Sequence, residues 1–306
     1  WSWAGPDKSD TRFSGGNADA DRAVLPMQGY PRYHSTSEKR FLGTTVPAQG
    51  TADPETSLRI ALDRLFAHPN VGPFVGRQLI QRLVTSNPSP GYVGRVAAKF
   101  ADDGTGQRGN LAAVVRAILL DPEARSAALD TDGKLKEPLL RMVQLLRTFE
   151  ARAANGEYRF DDVDQVVGQG PLLSPSVFNF FSPFYAPPGE IADRGLVAPE
   201  LEIVTDYRAT TYANYLYNQV FLYTTSNNVV NQGIVVIDIA DEVLLAGDAT
   251  TLLDHLVDKL LGGQVSPGLR AELAAAIDRV PVTRPADRVR EALFLLSTSP
   301  EFATLR

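Results

Sequence analysis

The sequence predicts a mainly α-helical fold, in which two related helical modules pack together with long irregular connections and little or no β-structure. Three observations support this prediction. Apolar residues recur at helical spacing through most of 55–150 and 205–306. A helix–break–helix stretch at 79–102 recurs without a gap at 256–279, and internal repeats determine architecture. Only one run, 234–239, is rich in β-branched residues, so strands contribute little.

Composition places the chain among folded globular proteins and excludes several classes of function. It has 306 residues, of which 44% are hydrophobic, and a formal net charge of −6. It can therefore bury a large core, but it lacks the basic charge of a nucleic-acid-binding protein. The absence of cysteine excludes disulfides, thiol nucleophiles and Cys-ligated metals. No apolar run reaches the roughly 20 residues that a membrane span requires.

We expect one compact domain made of four segments. Residues 1–54 are irregular and are expected to be the remnant of a larger protein, because the chain begins at Trp1 rather than Met. Residues 55–150 form helical module 1, and residues 151–204 form an aromatic, proline-rich loop segment. Residues 205–306 comprise a further helix followed by helical module 2.

Apolar faces and capping residues predict successive helices in module 1. Ser89 followed by Pro90 is a helix start, and this helix should end near 102–104. Asn110 is an expected N-cap for a helix whose apolar face we predict to be core. The apolar faces, in order, are Leu58, Ala61, Leu62, Leu65 and Phe66; Val75, Leu79, Ile80, Leu83 and Val84; Leu111, Val114, Val115, Ile118 and Leu119; and Leu139, Met142, Val143 and Leu146.

The second half of the chain shows the same kind of pattern. Residues 205–223 predict a helix with several tyrosines on one side, and 234–239 is the only plausible strand. A broad apolar face then predicts a helix that ends at Gly262. The residues of that face are Leu252, Leu253, Leu256, Val257, Leu260 and Leu261.

Both modules end on a matching phrase, DPE at 121–123 and SPE at 299–301. In each, Asp or Ser can cap a short helix, Pro suits the first helical position, and Glu interacts favourably with the helix dipole. The matched positions of the repeat are apolar faces and helix starts. The repeat therefore predicts scaffold rather than chemistry.

Several phrases along the chain form a recognisable set. They are FAHPNVGPFVGRQLIQRLV at 66–84, RG at 108–109 leading into AVVRAILLDPE at 113–123, EKRFLG at 38–43, SVFNFF at 176–181 with PPG at 187–189, and TSPEF at 298–302. Together these phrases resemble a bacterial family called domain of unknown function 1800. The resemblance spans nearly the whole chain but covers only the C-terminal half of the family. It implies a large, often exported, helix-rich bacterial protein whose biochemical role is not established, and it transfers no catalytic residue.

The motifs that carry familiar chemistry are missing from this sequence. The three histidines, His34, His68 and His255, never stand at metal-binding spacing; we expect His68 to cap or pack at a helix break and His255 to be exposed. The acidic groups at 102–103, 121–123 and 161–164 lack calcium-loop spacing, and 102–107 is expected to be a tight turn. No serine-hydrolase elbow, phosphate loop or dinucleotide fingerprint occurs. We therefore assign no metal and no cofactor.

The strongest candidate for a binding site is aromatic. Rings and neighbouring amides in 171–190, together with the tyrosines of 207–223, are what a sugar or peptide groove would use. The alternative interpretation is that alternate Phe side chains anchor a long loop in the core. The candidate residues are Phe178, Asn179, Phe180, Phe181, Phe184, Tyr185, Tyr212 and Tyr215.

Three function classes follow, and whether the chain is an enzyme stays open. The first is a non-enzymatic binding or assembly protein of the bacterial envelope. The second is a hydrolase or lyase on an extracellular polymer, with its site along 171–223. The third is the structural half of an enzyme whose catalytic residues lie in a missing N-terminal half, which would then be a partner. An envelope protein or polymer is a further expected partner, nucleic acid is not, and the expected location is periplasmic or extracellular, with the cytoplasm as the alternative.

Overall fold

The computed structural model describes residues 1–4, 7–15, 24–126, 133–158, 160, 163–170, 172–177, 179–224 and 233–305. The fold is mainly α-helical, as predicted. The α-helices of the described residues are α1 (Asp10–Phe13), α2 (Pro54–Ala67), α3 (Val71–Leu83), α4 (Pro90–Ala101), α5 (Leu111–Leu120), α6 (Pro122–Arg125), α7 (Pro138–Thr148), α8 (Val163–Val167), α9 (Glu190–Asp193), α10 (Asp206–Tyr217), α11 (Ala240–Leu245), α12 (Ala249–Leu261), α13 (Pro267–Arg279), α14 (Pro285–Thr298) and α15 (Pro300–Ala303).

Contacts divide the chain into two compact units, residues 1–75 and residues 76–306. The boundary falls inside α3, so it matches none of the segment limits expected from composition. The four-segment division of the sequence stays a prediction.

Within the first unit, the N-terminal segment is less irregular than its composition suggests. Strands β1 (Lys39–Phe41) and β2 (Thr44–Val46) pair antiparallel. The two residues between them, Leu42 and Gly43, both have positive φ, 46° and 72°, as a two-residue hairpin turn requires. The sequence signal was weak because leucine rarely adopts this conformation.

Short strand pairs also join distant parts of the second unit. The strand predicted within 234–239 is present as β5 (Val235–Val236), paired with β4 (Arg152–Ala153). The expectation that this was the only strand is wrong, because β3 (Lys134–Leu135) pairs with β6 (Thr304–Leu305). Two-residue strands carry no periodicity, so sequence alone could not have found them.

The predicted helix starts are confirmed at the level of single hydrogen bonds. Ser89 caps α4 by accepting from the Tyr92 N–H, and Asn110 caps α5 in the same way. At the other end of a helix, Gly262 terminates α12 in the left-handed conformation with φ 59°, which glycine adopts at little cost.

Two glutamates each bind the serine that begins a helix, and we call each such pair a Ser–Glu joint. In the first joint, Glu123 accepts from the backbone N–H of Ser89 at 2.9 Å and from its hydroxyl at 2.6 Å. In the second, Glu301 accepts from the same two groups of Ser266 at 2.9 and 2.5 Å. The glutamate predicted only to favour a helix dipole thus also ties the short helices α6 and α15 to α4 and α13.

The main core of the second unit lies among α7, α10, α12, α13 and α14. Residues with no exposure include Leu216, Leu256, Leu293 and Phe302. The face of α5 is less buried than predicted: Val114 and Ile118 are fully buried, but Leu111 and Leu119 are about half exposed. Helical periodicity identifies an apolar face, but it does not reveal whether another element covers the whole of it.

The helix predicted over 205–223 changes its winding before it ends. It is α-helical over α10 and continues as a π-helical turn at Asn218–Leu222. The buried Gln219 side chain donates to the carbonyls of Tyr223 and Val235. The wider turn therefore places an amide where it satisfies backbone acceptors beside β5.

Candidate functional site

The aromatic, proline-rich segment is attached to α3 and to the connection that follows it. The Gln81 amide donates to the Pro183 carbonyl at 3.0 Å. Asn87 both donates to and accepts from the backbone of Val197, at 3.0 and 2.9 Å. These bonds hold the segment from 183 to 197 against the start of the second unit.

A buried ion pair adds a further attachment. Lys134 Nζ lies 2.9 Å from Glu200 Oε1, and both side chains are only 2% exposed. Since an isolated buried charge is costly, each side chain depends on the other for its place in the interior.

The loop members of the predicted aromatic site have different environments. Phe181 is buried, with the Arg82 guanidinium 4.0 Å from its ring centroid. Phe184 is 59% exposed and lies beside Arg77 at 5.2 Å. Phe180 and Tyr185 are half-buried, and Asn179 is exposed with a positive φ of 75°. Phe178 lies outside the described residues.

The two predicted tyrosines of α10 belong to the main core instead. Tyr212 is 6% exposed, and Tyr215 is half-buried with its ring stacked on that of Tyr212 at 6.4 Å. In the described part of the chain, no ring contact joins this pair to the loop aromatics. The single aromatic groove therefore stays a prediction. Tyr212 also belongs to a separate cavity, described next.

Tyr212 lines a partly open cavity of about 150 Å³ between residues of four helices. Aliphatic groups of Pro138, Val166, Val204 and Ala213 form part of its wall. The described residues that line it are Pro138 and Arg141 from α7, Val166 from α8, Val204 before α10, Arg208, Ala209, Tyr212 and Ala213 from α10, and Ser297 and Thr298 from α14. We call this space the arginine cavity.

The described residues place positive charge at the cavity without a neutralising partner. Arg141 has its guanidinium 4.7 Å from the Tyr212 ring centroid, and its buried Nε atom has no hydrogen-bond partner in the described residues. Burial lowers the pKa of Arg141 below its usual value, but an arginine stays charged at neutral pH. No described carboxylate forms an ion pair with Arg141 or Arg208.

Arg208 owes its position to a glycine. Its Nη1 atom donates to the Ile203 carbonyl at 3.2 Å. Gly168 has a φ of 74°, and a Cβ added there would lie 2.7 Å from Arg208 Nε. The guanidinium can therefore occupy this part of the cavity wall only because residue 168 has no side chain.

Hydroxyl groups of the cavity fall into two kinds. The Tyr212 hydroxyl is buried and has no partner among the described residues, and burial raises its pKa above the ordinary value of 10.0. It is therefore an un-ionised donor. The Ser297 and Thr298 hydroxyls instead donate to the Phe294 carbonyl, at 3.1 and 2.8 Å.

A lysine near Arg141 makes the surroundings still more positive. Lys136 donates to Gln144 at 2.9 Å, and its Nζ lies 4.6 Å from the Phe302 ring centroid. Burial, followed by the charge of Arg141, lowers the pKa of Lys136 to about 8. Lys136 and Arg141 are therefore two like charges in one half-buried region.

The remaining polar clusters are structural. Residues 102–107 form the predicted turn, in which the Asp102 carboxylate accepts from the N–H groups of Gly104 and Gly106. His68 accepts from the Asn70 N–H at the end of α2, as its expected capping role requires. His255 is half-buried rather than exposed, since it pairs with the buried Glu242 at 2.9 Å.

Within the described ranges, no group of three His, Asp or Glu residues could hold a metal ion. Asp161 and Asp162 of the third acidic group lie outside those ranges. No helix in the same ranges has both the length and the hydropathy of a membrane span.

Sequence reasoning identified Tyr212 but neither arginine. Arg141 stands two residues after Leu139, off the predicted apolar face, so the helical pattern gave no signal for it. The absence of a counter-charge depends on tertiary structure, so the sequence could not indicate it.

Residues 7–304 match the family model described as a protein of unknown function, DUF1800. The chain therefore belongs to this family, and the resemblance found in its motifs is confirmed over nearly its whole length. No curated protein and no solved structure matches the chain.

Proposed function

We propose that this member of the DUF1800 family is a non-enzymatic binding or assembly protein of the bacterial envelope. The observation that carries the proposal is the arginine cavity. Among the described residues, neither the buried Nε of Arg141 nor the hydroxyl of Tyr212 has a hydrogen-bond partner. Polar groups without a hydrogen-bond partner in the interior destabilise the free protein. A ligand that forms hydrogen bonds with these groups removes this cost, which favours its binding.

The chemistry of the cavity supports binding over catalysis. Its two candidate nucleophiles, Ser297 and Thr298, donate their protons to the carbonyl of Phe294. An activated nucleophile needs a base within hydrogen-bond reach, and the described residues of the cavity lining include neither histidine nor carboxylate. The site is thus equipped to hold an anionic group in place.

An envelope location is supported by composition. The chain contains no cysteine, which suits a protein that functions in an oxidising compartment. We also propose an N-terminal half of the same protein as a second partner. Fractionation of the native host, probed with an antibody to this chain, tests the location; a cytosolic signal would contradict it.

The binding role is tested with envelope material and the purified chain. Peptidoglycan fragments and acidic polysaccharides are titrated while the Tm is followed, and the recovered material is analysed by mass spectrometry. We expect a saturable rise in Tm and unaltered material. Arg141→Gln should remove the rise, whereas Arg147→Gln, an exposed charge on the same helix, should retain it. Release of shortened or unsaturated products would contradict the non-enzymatic role.

A second candidate function is a hydrolase or lyase acting on an extracellular polymer along 171–223. The observation in its favour is the exposed ring of Phe184 beside Arg77, since an aromatic face next to a cation suits an acidic sugar. Phe184→Ala should then reduce polymer binding at least as strongly as Arg141→Gln does. Equal binding by Phe184→Ala and the unmodified chain would argue against this function.

We also propose that 79–123 and 256–301 are copies of one ancestral module. The support is their aligned apolar positions together with the two Ser–Glu joints, which use the same atoms of serine and glutamate. Duplication of a scaffold would explain why both copies have a Ser–Glu joint. It would also explain why the cavity residues are not repeated, since most of them lie between the two copies.

A further inference from the structure

We propose that the arginine cavity binds the carboxylate of a short aliphatic chain, with Arg141 and Tyr212 as its ligands and Arg208 beside them. This inference rests on the proposed binding function and names the class of its ligand. A charge held in the interior, as at the Arg141 Nε, is ordinarily paired with an opposite charge. The Tyr212 ring offsets part of its cost as a cation–π partner, but the Nε atom stays unpartnered.

The arrangement of donors favours a planar anion. A guanidinium binds a carboxylate through two parallel N–H bonds along one edge. The Arg141 Cζ lies 4.7 Å from the Tyr212 ring centroid, and the Arg141 Nε has no partner among the described residues. The Tyr212 hydroxyl supplies a neutral donor whose proton is retained at all ordinary pH values because burial raises its pKa. A carboxylate oxygen can accept from either kind of donor.

The rest of the wall favours an aliphatic body. Pro138, Val166, Val204 and Ala213 present hydrocarbon to the same space. A phosphate or sulfate ion would leave these surfaces uncovered, whereas an alkyl chain would bury them. A cavity of 150 Å³ holds a molecule of about six non-hydrogen atoms, the size of benzene. Butyrate has this size, as does the terminal carboxylate and side chain of a small C-terminal residue.

The position of Arg208 allows an independent test of the same site. Its guanidinium lies where a Cβ on Gly168 would collide with it. Gly168→Ala would therefore displace this cation while leaving every charge in the protein. A second cation at the cavity wall raises the local potential for any anion, whatever the geometry of its direct contacts.

The test uses the full chain and measures butyrate binding by calorimetry. Butyramide serves as the uncharged ligand of equal size, and inorganic phosphate serves as an anion without an alkyl body. We expect saturable butyrate binding that is at least about tenfold tighter than binding of either control ligand. Equal binding of butyramide, or tighter binding of phosphate, would overturn the carboxylate assignment. N-acetyl-Ala-Val, in a parallel titration, separates a peptide C-terminus from a free acid as the source.

Three variants assign the contacts. Arg141→Gln should weaken butyrate binding about thirtyfold, and Arg147→Gln less than about twofold. Tyr212→Phe should weaken it about fivefold while raising the Tm of the free protein, because it removes a buried hydroxyl that has no partner. A tyrosine with only a structural role would not give weaker butyrate binding together with a higher Tm. If Arg141→Gln does not fold, Tyr212→Phe and Gly168→Ala decide: unchanged butyrate affinity in both would overturn the site.

The inference and the function on which it rests can fail separately. Butyrate binding that is lost in Arg141→Gln, combined with conversion of envelope material into products, would leave the carboxylate site standing and remove the non-enzymatic role. Absence of butyrate and peptide binding, combined with a saturable Tm rise from envelope polymers that needs Arg141, would remove only the carboxylate assignment.

Discussion

The two Ser–Glu joints have the same hydrogen bonds but different surroundings. In each, a glutamate carboxylate accepts from the N–H and the hydroxyl of a serine that begins a helix. The residue after Glu301 is Phe302, which is fully buried, whereas the residue after Glu123 is Ala124, which is half-buried.

The helix caps beside the joints differ as well. In the first joint the cap of α6 is Asp121, which also forms two 2.7 Å bonds with Arg95. In the second joint the cap of α15 is the uncharged Ser299. The comparison indicates that a polar joint determines where helices start. The neighbouring side chains determine how much each region contributes to stability, through an ion pair beside the first joint and apolar burial beside the second.

Phe302→Ala should give the largest difference between the joints. The ring has no exposure, and its loss leaves a cavity in the main core. We expect the free energy of unfolding to fall by about 4 kcal/mol, measured by urea denaturation of the full chain. Leu120→Ala is the control in the first module, because that side chain is 55% exposed, and it should cost about 0.5 kcal/mol. Equal losses would contradict the difference in burial.

The caps should differ by less. Asp121→Ala removes a cap and the Arg95 ion pair, and we expect a loss of about 2 kcal/mol. The Arg95 side chain is 52% exposed, so solvent screening limits the contribution of the pair. Ser299→Ala removes only a cap and should cost about 1 kcal/mol. A double variant, Arg95→Ala with Asp121→Ala, separates the ion pair from the cap; a cycle with no coupling energy would show that the pair contributes nothing.

The joints themselves should respond alike. Glu123→Gln and Glu301→Gln each keep an acceptor oxygen but lose the charge that strengthens both hydrogen bonds, so each should cost about 1 kcal/mol. Urea denaturation of the two variants and of the double variant measures this. A loss confined to one of the two variants would show that the shared atoms do not have a shared role, and would weaken the case for duplication.

The smallest effect is expected in the pH dependence of the first joint. The hydrogen bond from Arg95 lowers the pKa of Asp121 below 3.8, against the opposing effect of burial. A lowered pKa contributes stability above the ordinary value, and this contribution is lost as pH falls below it. Asp121→Asn should therefore cost about 0.5 kcal/mol at pH 7, with the difference from the unmodified chain shrinking below pH 4. A difference that is constant from pH 7 to pH 3 would contradict the shift.

Local physical chemistry explains which parts of the fold could be predicted. The starts of α4 and α5 follow from Ser89 and Asn110, whose side chains bond backbone groups three residues away. Such signals are complete within a few residues of sequence. The pairing of Lys134 with Leu305 and the exposure of Leu111 depend on which distant elements meet, and no nearby residue encodes that.

The candidate site likewise contains residues that the sequence indicates and residues that only the tertiary structure reveals. Tyr212 was identified because aromatic side chains are visible in sequence as binding groups. Arg141 matters because no described carboxylate lies beside it, which is a property of its neighbourhood. Two loop members of the predicted groove contact α3: Phe181 packs against Arg82, and Phe184 packs against Arg77. Because Phe181 is buried, its contact supports the interpretation that this side chain anchors the loop.

The ion pair of Lys134 with Glu200 constrains how this protein can change over evolutionary time. Both side chains are almost completely enclosed, so replacing either one alone leaves a charge in the interior and costs several kcal/mol. An apolar pair could replace both at little cost, but single-nucleotide steps would pass through a destabilised intermediate. Positions 134 and 200 should therefore vary together among family members, and a sequence that has lost one charge should have lost the other.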